Sequence, residues 1–241
     1  MMNKIQGERY SRTLSLVEIG EEGQEKLLKS KVFIVGVGGL GSQLLLHLSA
    51  LGVGKIGVAD VDNVSLSNLP RQVLYDEDDV NKNKIDVACS KINKKNSDVK
   101  INKCNLLVNK DNAKELFKDY DIVIDASDNF QTKFIVEDAC LKLGKPFIIA
   151  GVSGFQGQVI LTDKNSKFSF KSLFDEIPHH IEEKYVLADK PVFPLAVSLV
   201  SDVTSSILVK YILDIGESLL DTLVVVDANN IEIKKYRFEL N

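Results

Sequence analysis

Cysteine is scarce in this chain of 241 residues. Cys89, Cys104 and Cys140 stand far apart, and no two of them form a Cys-x-x-Cys pair. Neither a disulfide framework nor a zinc site follows from such spacing. Each has mixed apolar neighbours, so a buried structural thiol is the default reading. Long apolar runs are missing as well, and none approaches the ~18 residues of a membrane span. The N-terminus is polar and charged, without the apolar stretch of a signal peptide. We therefore expect a cytoplasmic protein with no membrane partner. Excess positive charge is also lacking: the net charge is -4 and the isoelectric point about 5.5. That disfavours nucleic acid as the main partner, because phosphate backbones are held by clustered cations. Lys91, Lys94 and Lys95 read as a solvated helix face rather than a binding patch.

Hydrophobic residues make up 44% and charged residues 27%, enough apolar material for one core-forming domain spanning 1–241. Lys31 to Val35 is a β-branched run that reads as a buried strand. Gly36-Val37-Gly38-Gly39-Leu40-Gly41 follows, then an apolar helix from Ser42 to Leu51 that Gly52 stops. The alternation continues with strands at 55–60, 99–104, 121–125 and 146–150 and helices at 83–93, 113–118 and 132–143. Strand–helix alternation predicts a doubly wound, mostly parallel, Rossmann-like α/β sheet in a nucleotide-binding part, about 30–150. From 151 to 241 a substrate or crossover part is expected. It holds short strands at 158–162 and 167–170 and a polar loop at 176–191. A helix at 195–213 and a hairpin of 223–227 with 231–235 close the chain. These strands give the sheet a C-terminal antiparallel extension.

Gly36, Gly38 and Gly41 make a G-x-G-x-x-G turn between a strand and a helix. Such a turn lets backbone approach a phosphate and aims the free N–H groups of a helix start at its charge. Asp60 ends the next strand about 20 residues later, where a carboxylate accepts hydrogen bonds from ribose hydroxyls. Both features suit NAD as well as ATP. The stretch Asp60-Val61-Asp62-Asn63-Val64-Ser65-Leu66-Ser67-Asn68-Leu69-Pro70-Arg71-Gln72 then adds an amide and a guanidinium, and Lys84 follows. Hydride transfer has no use for this pair of cations. A triphosphate does, because attack at its α-phosphorus builds charge on oxygen. Asp128-Asn129 follows the 121–125 strand at the carboxyl edge of the sheet, where an aspartate can hold magnesium on phosphates. Singly, each of these residues reads as a surface charge or a loop cap. Together, on consecutive strand ends, they favour a site.

The chain resembles the ThiF/MoeB/HesA family, relatives of the ubiquitin-activating enzymes. The matching residues are Glu8-Arg9-Tyr10-Ser11-Arg12, Gly36 to Gly41, Asp60 to Gln72, Lys84, and Asp125-Ala126-Ser127-Asp128-Asn129-Phe130. Weaker matches are Gly154 to Gln158, Lys171 to Phe174 and the 195–213 helix. The resemblance implies an ATP- and magnesium-dependent adenylyltransferase. It places Gly39 on the phosphates, Asp60 on the ribose, and Asn68, Arg71 and Lys84 on the phosphates, with Asp128 on magnesium. Asp62, Ser67 and Asn129 complete the expected nucleotide contacts. Arg12 resembles an arginine that reaches the partner subunit's site, which implies a homodimer. A ubiquitin-like sulfur-carrier protein or a peptide is the implied carboxylate donor.

The chain departs from the family in three places. Many members bind structural zinc through two Cys-x-x-Cys pairs, but Ser169-Phe170-Lys171-Ser172 stands at the first, and no cysteine follows Cys140. Serine is a poor zinc ligand, so no zinc site is expected. Relatives that form a thioester or persulfide use a cysteine in the crossover loop, and 173–192 has none. The reaction is then expected to stop at the adenylate, or to take its second nucleophile from elsewhere. Pro70 replaces the usual glutamine and fixes local φ. His179-His180 reads as a surface loop pair, with substrate placement as the functional alternative. Three further readings remain open: a peptide- or tRNA-carboxylate-activating relative, an NAD-dependent oxidoreductase, and an inactive scaffold that keeps the nucleotide pocket.

Overall fold

The computed structural model describes residues 2–173 and 191–238. Three short helices open it: α1 (Lys4–Arg9), α2 (Ser11–Leu14) and α3 (Gly20–Lys29). Then come β1 (Lys31–Val35), α4 (Gly39–Leu51), β2 (Lys55–Ala59), α5 (Lys84–Lys95), β3 (Lys100–Cys104) and α6 (Ala113–Phe117). The middle holds β4 (Ile122–Asp125), α7 (Phe130–Leu143), β5 (Phe147–Ser153), β6 (Gln156–Thr162) and α8 (Phe170–Leu173). The last described elements are α9 (Pro194–Leu213), β7 (Thr222–Asp227) and β8 (Glu232–Arg237).

One eight-stranded sheet runs in the order β3-β2-β1-β4-β5-β6-β7-β8. The first five strands in that order are parallel, and β5 to β8 pair antiparallel. The strand order reverses between β1 and β4. In an open α/β sheet the crevice outside the carboxyl ends at such a point is where ligands bind.

Alternation along the strands divides the core between two layers. Val32 and Ile34 face a cluster with Leu44, Leu45 and Leu48 of α4 and Val197 and Leu208 of α9. Phe33 and Val35 face the other way, onto Phe117, Val136 and Phe147. A strand's side chains alternate faces with period two, so one short run serves both layers.

The helix at Pro194–Leu213 is long and apolar enough by composition to cross a membrane. That corrects the expectation that no apolar stretch approaches a span. Here the helix packs on α4, β5, β6 and β7, and Ala196, Val200, Thr204 and Leu208 are fully covered. A helix buried on most sides reads as apolar all round in a soluble core too.

The strand expected at 167–170 is absent. The backbone N–H groups of Lys167 and Phe168 donate to the Asp221 carboxylate at 2.7 and 2.8 Å, and Phe170 begins α8. Both edges of β6, the preceding strand, are already paired, with β5 and β7, so β6 offers this segment no free edge. The polar loop expected at 176–191 and the pair His179-His180 lie outside the described residues, except for its last residue.

Candidate nucleotide site

The glycine turn leaves β1 at the switch point. Gly36 has φ +87°, in the left-handed region. A side chain at Gly41 would lie 1.8 Å from the Gly36 carbonyl oxygen. Only glycine permits the helix to start so close to the strand. α4 begins at Gly39, three residues earlier than the apolar pattern alone marks, and no side chain caps it. Its first N–H groups have no intrahelical acceptor and are available to an anion.

Three groups hold the turn from outside. Asp60 Oδ2 accepts from the Val37 N–H at 2.8 Å, and its Oδ1 accepts from the Asp62 N–H at 2.8 Å. The buried Tyr75 hydroxyl donates to the Val37 carbonyl at 2.7 Å. Burial pushes the Tyr75 phenol pKa well up, so the donor keeps its proton. Gln72 is buried at the same turn, with its amide nitrogen 3.6 Å from where a Gly38 side chain would begin.

The cations occupy the loop after β2. Lys84, at the start of α5, is buried, and its Nζ donates to Asp62 Oδ2 at 2.9 Å. Asp62 itself is 63% exposed at the side chain, so this carboxylate is solvated on its outer side. The Arg71 guanidinium donates to the Ser67 carbonyl at 2.9 Å, and the Arg71 backbone carbonyl accepts from Gln43 at 3.4 Å. Asn68 Oδ1 accepts from the Ser65 N–H at 3.3 Å, while the Ser67 hydroxyl pairs with Ser65. Across the crevice, Asp128 is exposed just beyond β4, and the Asn129 side-chain nitrogen donates to it at 3.4 Å. Asn129 Oδ1 caps α7 by accepting from the Thr132 N–H at 2.8 Å. Gly36 to Gly41, Asp60, Asp62, Lys84 and Asp128 thus follow the carboxyl ends of β1, β2 and β4 on one rim.

Arg12 is not brought to that rim. It is exposed, and its guanidinium makes no hydrogen bond or ion pair with any described residue. Its neighbour Tyr10 is buried against Gly52, at the far end of α4, and accepts from Asn96 at 3.0 Å. A helix of 13 residues is about 20 Å long at 1.5 Å per residue. The anchor of Arg12 is therefore that far from the turn in its own chain.

A cavity of about 350 Å³ lined by Asp163, Lys210 and Tyr211 contains none of these candidates. It lies at the carboxyl end of β6, which runs antiparallel to β1's neighbours and so opens on the opposite rim.

Two carboxylates missed in the sequence tie down the segment where zinc-binding relatives carry cysteines. Glu137 on α7 is fully buried and accepts from Ser169 Oγ at 2.6 Å and from the Lys171 N–H at 3.0 Å. Burial pushes its pKa up, and the two donors oppose that shift. Asp221 holds Lys167 and Phe168, and Phe168 stacks on Phe238 with centroids 3.6 Å apart. Among the described residues no cluster of three or more His, Cys, Asp or Glu gathers to hold a metal. Glu137→Ala leaves two donors unsatisfied, so a loss of roughly 1–3 kcal/mol is expected. Urea unfolding checks this, and added chelator should leave the wild-type midpoint unmoved.

Burial raises the Cys140 thiol to about 12 and the Cys89 thiol to about 11. A raised thiol pKa means the neutral, unreactive form at pH 8. Cys104 is half-buried and is raised less. Native labelling with a thiol-exchange reagent at pH 8 should therefore modify Cys104 alone at a measurable rate. All three should react after denaturation. Fast labelling of Cys140 would contradict the described burial.

The ThiF family's sequence profile matches residues 10–241 of this chain. A sulfur carrier protein adenylyltransferase of Thermus thermophilus is 35% identical over 239 residues, 97% of this chain and 88% of that protein. The probable adenylyltransferase/sulfurtransferase MoeZ of Mycobacterium tuberculosis is 35% identical over 91% of this chain and 57% of its own length. Maize adenylyltransferase and sulfurtransferase MOCS3-1 is 34% identical over 94% of this chain and 48% of its own. The chain thus spans about half the length of these two longer relatives. Among solved structures, E. coli MccB with ATP superposes with a TM-score of 0.79 at 26% identity, over 91% of this chain and 66% of that one. MccB with MccA-N7isoASN gives 0.83 at 25%, over 98% and 72%. PaaA gives 0.82 at 26%, over 99% and 76%.

Proposed function

This chain belongs to the ThiF family and is an adenylyltransferase of that type, and on that premise we propose which carboxylate it activates and which residues do so. The donor is the C-terminal carboxylate of a ubiquitin-like sulfur-carrier protein or of a peptide. The relatives above are adenylyltransferases by name, which sets the dinucleotide-oxidoreductase alternative aside. The observation that carries the residue assignment is the convergence of the glycine turn, Lys84 and Asp128 on one rim at the switch point between β1 and β4.

In this reading the α4 N-terminus and Gly39 take the phosphates and Asp60 takes the ribose. Asn68, Arg71 and Lys84 neutralise phosphate oxygens. A carboxylate oxygen attacks the α-phosphorus, the bond to the bridging oxygen breaks, and pyrophosphate leaves with the electron pair. The attacking group is already an anion, so no proton has to be removed and no general base is needed. The chain's residues position the reactants and offset developing charge. Lys84 must serve the triphosphate while keeping, or releasing, Asp62. The exposed, solvated side of Asp62 makes release inexpensive in desolvation.

Asp128 offers one carboxylate where the phosphates would lie. Magnesium binds through one or two carboxylates, phosphate oxygens and water, so this donor set fits it, and no all-protein cage is required. When bound, magnesium would neutralise charge on the phosphates, with Asp128 as its protein ligand.

Arg12 is anchored at the far end of α4, and this supports a homodimer in which it serves the partner's site. The setting is cytoplasmic. With no cysteine in 173–192 to take the acyl group, the reaction stops at the bound mixed anhydride of donor and AMP, or the second nucleophile comes from elsewhere. The test is exchange of labelled pyrophosphate into ATP, with a Gly-Gly-ending carrier protein, a peptide or a tRNA as the added carboxylate. Exchange with either of the first two supports the reading. Exchange with tRNA alone, or tight ATP binding with no exchange for any carboxylate, contradicts it.

A further inference from the structure

Lys133 is a buried cation that the reading above leaves unused. It lies in the first turns of α7, and its side chain is 8% exposed. Its Nζ donates to Asp125 Oδ1 at 2.7 Å, to the Ser127 carbonyl at 2.8 Å and to the Ala150 carbonyl at 2.8 Å. An ammonium has three N–H donors. All three are used, one on the Asp125 carboxylate at the end of β4 and two on backbone carbonyls, of the loop after it and of β5.

Asp125 is fully buried. Its Oδ1 also accepts from the Ser127 N–H at 3.1 Å and from Ser127 Oγ at 2.8 Å. Its Oδ2 has no hydrogen-bond partner among the described residues. An unsatisfied carboxylate oxygen inside a protein is costly, and a buried ion pair is weak ground for stability, since apolar replacements of equal volume are often neutral or better. Stability alone therefore does not account for this pair. Its effect is geometric. Ser127 is fixed through its N–H, its hydroxyl and its carbonyl, and the next residue is Asp128. The same loop meets the glycine turn, because a side chain at Gly36 would lie 3.2 Å from the Ala126 carbonyl oxygen.

We propose that Lys133, acting through Asp125 and Ser127, is a positioning residue that aims Asp128 at the metal–phosphate site. This rests on the reading that Asp128 holds magnesium. The ammonium touches neither substrate nor metal. It fixes the direction from which Asp128 leaves the end of β4.

The test measures binding of the non-hydrolysable analogue AMPCPP, once with magnesium and once with EDTA, and takes the ratio of dissociation constants. The variant is Asp125→Asn with Lys133→Met, which removes both charges together and strands neither. Metal-free binding should stay within about twofold of wild type, since neither side chain bonds to the glycine turn. The magnesium enhancement should fall about 10–100-fold, the usual effect of losing a partner behind a metal ligand. A purely structural pair would leave the ratio unchanged in whatever fraction folds. Asp125→Asn alone keeps the Lys133 bonds to both carbonyls and serves if the double variant does not fold. It should lower the enhancement by about threefold or more. A wild-type-like ratio in a folded variant overturns this proposal alone. No magnesium enhancement in the wild-type chain overturns it together with the reading of Asp128.

Discussion

Lys84→Met is expected to lower carboxylate-dependent ATP–pyrophosphate exchange by about 10²–10³-fold, the usual effect of removing one donor aimed at transition-state charge. The methionine keeps the apolar stem that Lys84 buries at the start of α5. Removing the ammonium leaves Asp62 without its partner, but that side chain is 63% exposed and water takes over. Stability should therefore change by less than about 1 kcal/mol. Activity and stability separate cleanly here, which a buried counter-ion would not permit. Arg71→Ala should behave alike, because among the described residues its guanidinium contributes only one bond, to the Ser67 carbonyl, to the resting loop. Equal exchange in both variants and in the wild type would remove these two residues from the reaction.

Gly41→Ala should have the largest effect on folding. The added methyl would sit 1.8 Å from the Gly36 carbonyl oxygen, a backbone atom that cannot swing aside. Either α4 moves off β1 or the turn opens. Overpacking costs typically about 1–3 kcal/mol, and a clash with fixed backbone puts this one at the upper end, about 3 kcal/mol, a fall of roughly 6–12 °C in Tm for a chain of this size. Nucleotide affinity should fall with it, because the free N–H groups of α4 lose their alignment with the turn. Thermal unfolding followed by circular dichroism reads the first effect and AMPCPP titration the second. An unchanged Tm would mean that the close approach of β1 and α4 is not required.

Much of this was legible in the sequence because it is written in local signals. The Lys31–Val35 run and the glycine turn mark a strand and the helix start after it without tertiary information, and Asp60 stands at the end of the next strand, where the proposed ribose contact would be made. The final hairpin was legible from its alternation, with β7 and β8 each starting within one residue of the expected bounds. What was not legible depends on partners far away in the chain. Lys133 and Glu137 look like ordinary charges on a helix, and only the fold shows that both are buried. Asp221 looks like a loop residue, yet it accepts from the Lys167 and Phe168 backbone N–H groups, which a strand would have donated to a neighbour. The 194–213 helix needed its neighbours too, since composition alone does not tell a helix covered by a sheet from one covered by lipid. The resemblance puts Asp62 on the nucleotide, and only the fold adds that its carboxylate pairs with Lys84.

The central claim is that Lys84, Arg71 and Asp128 share one triphosphate with the glycine turn. A crystal grown with AMPCPP and magnesium tests it most directly. The account predicts phosphates on the N–H groups of Gly38 to Gly41, with the Lys84 ammonium and the Arg71 guanidinium within hydrogen-bond distance of phosphate oxygens. Nucleotide bound away from β1 and β4, with Lys84 still closed on Asp62 and Arg71 on Ser67, would contradict it.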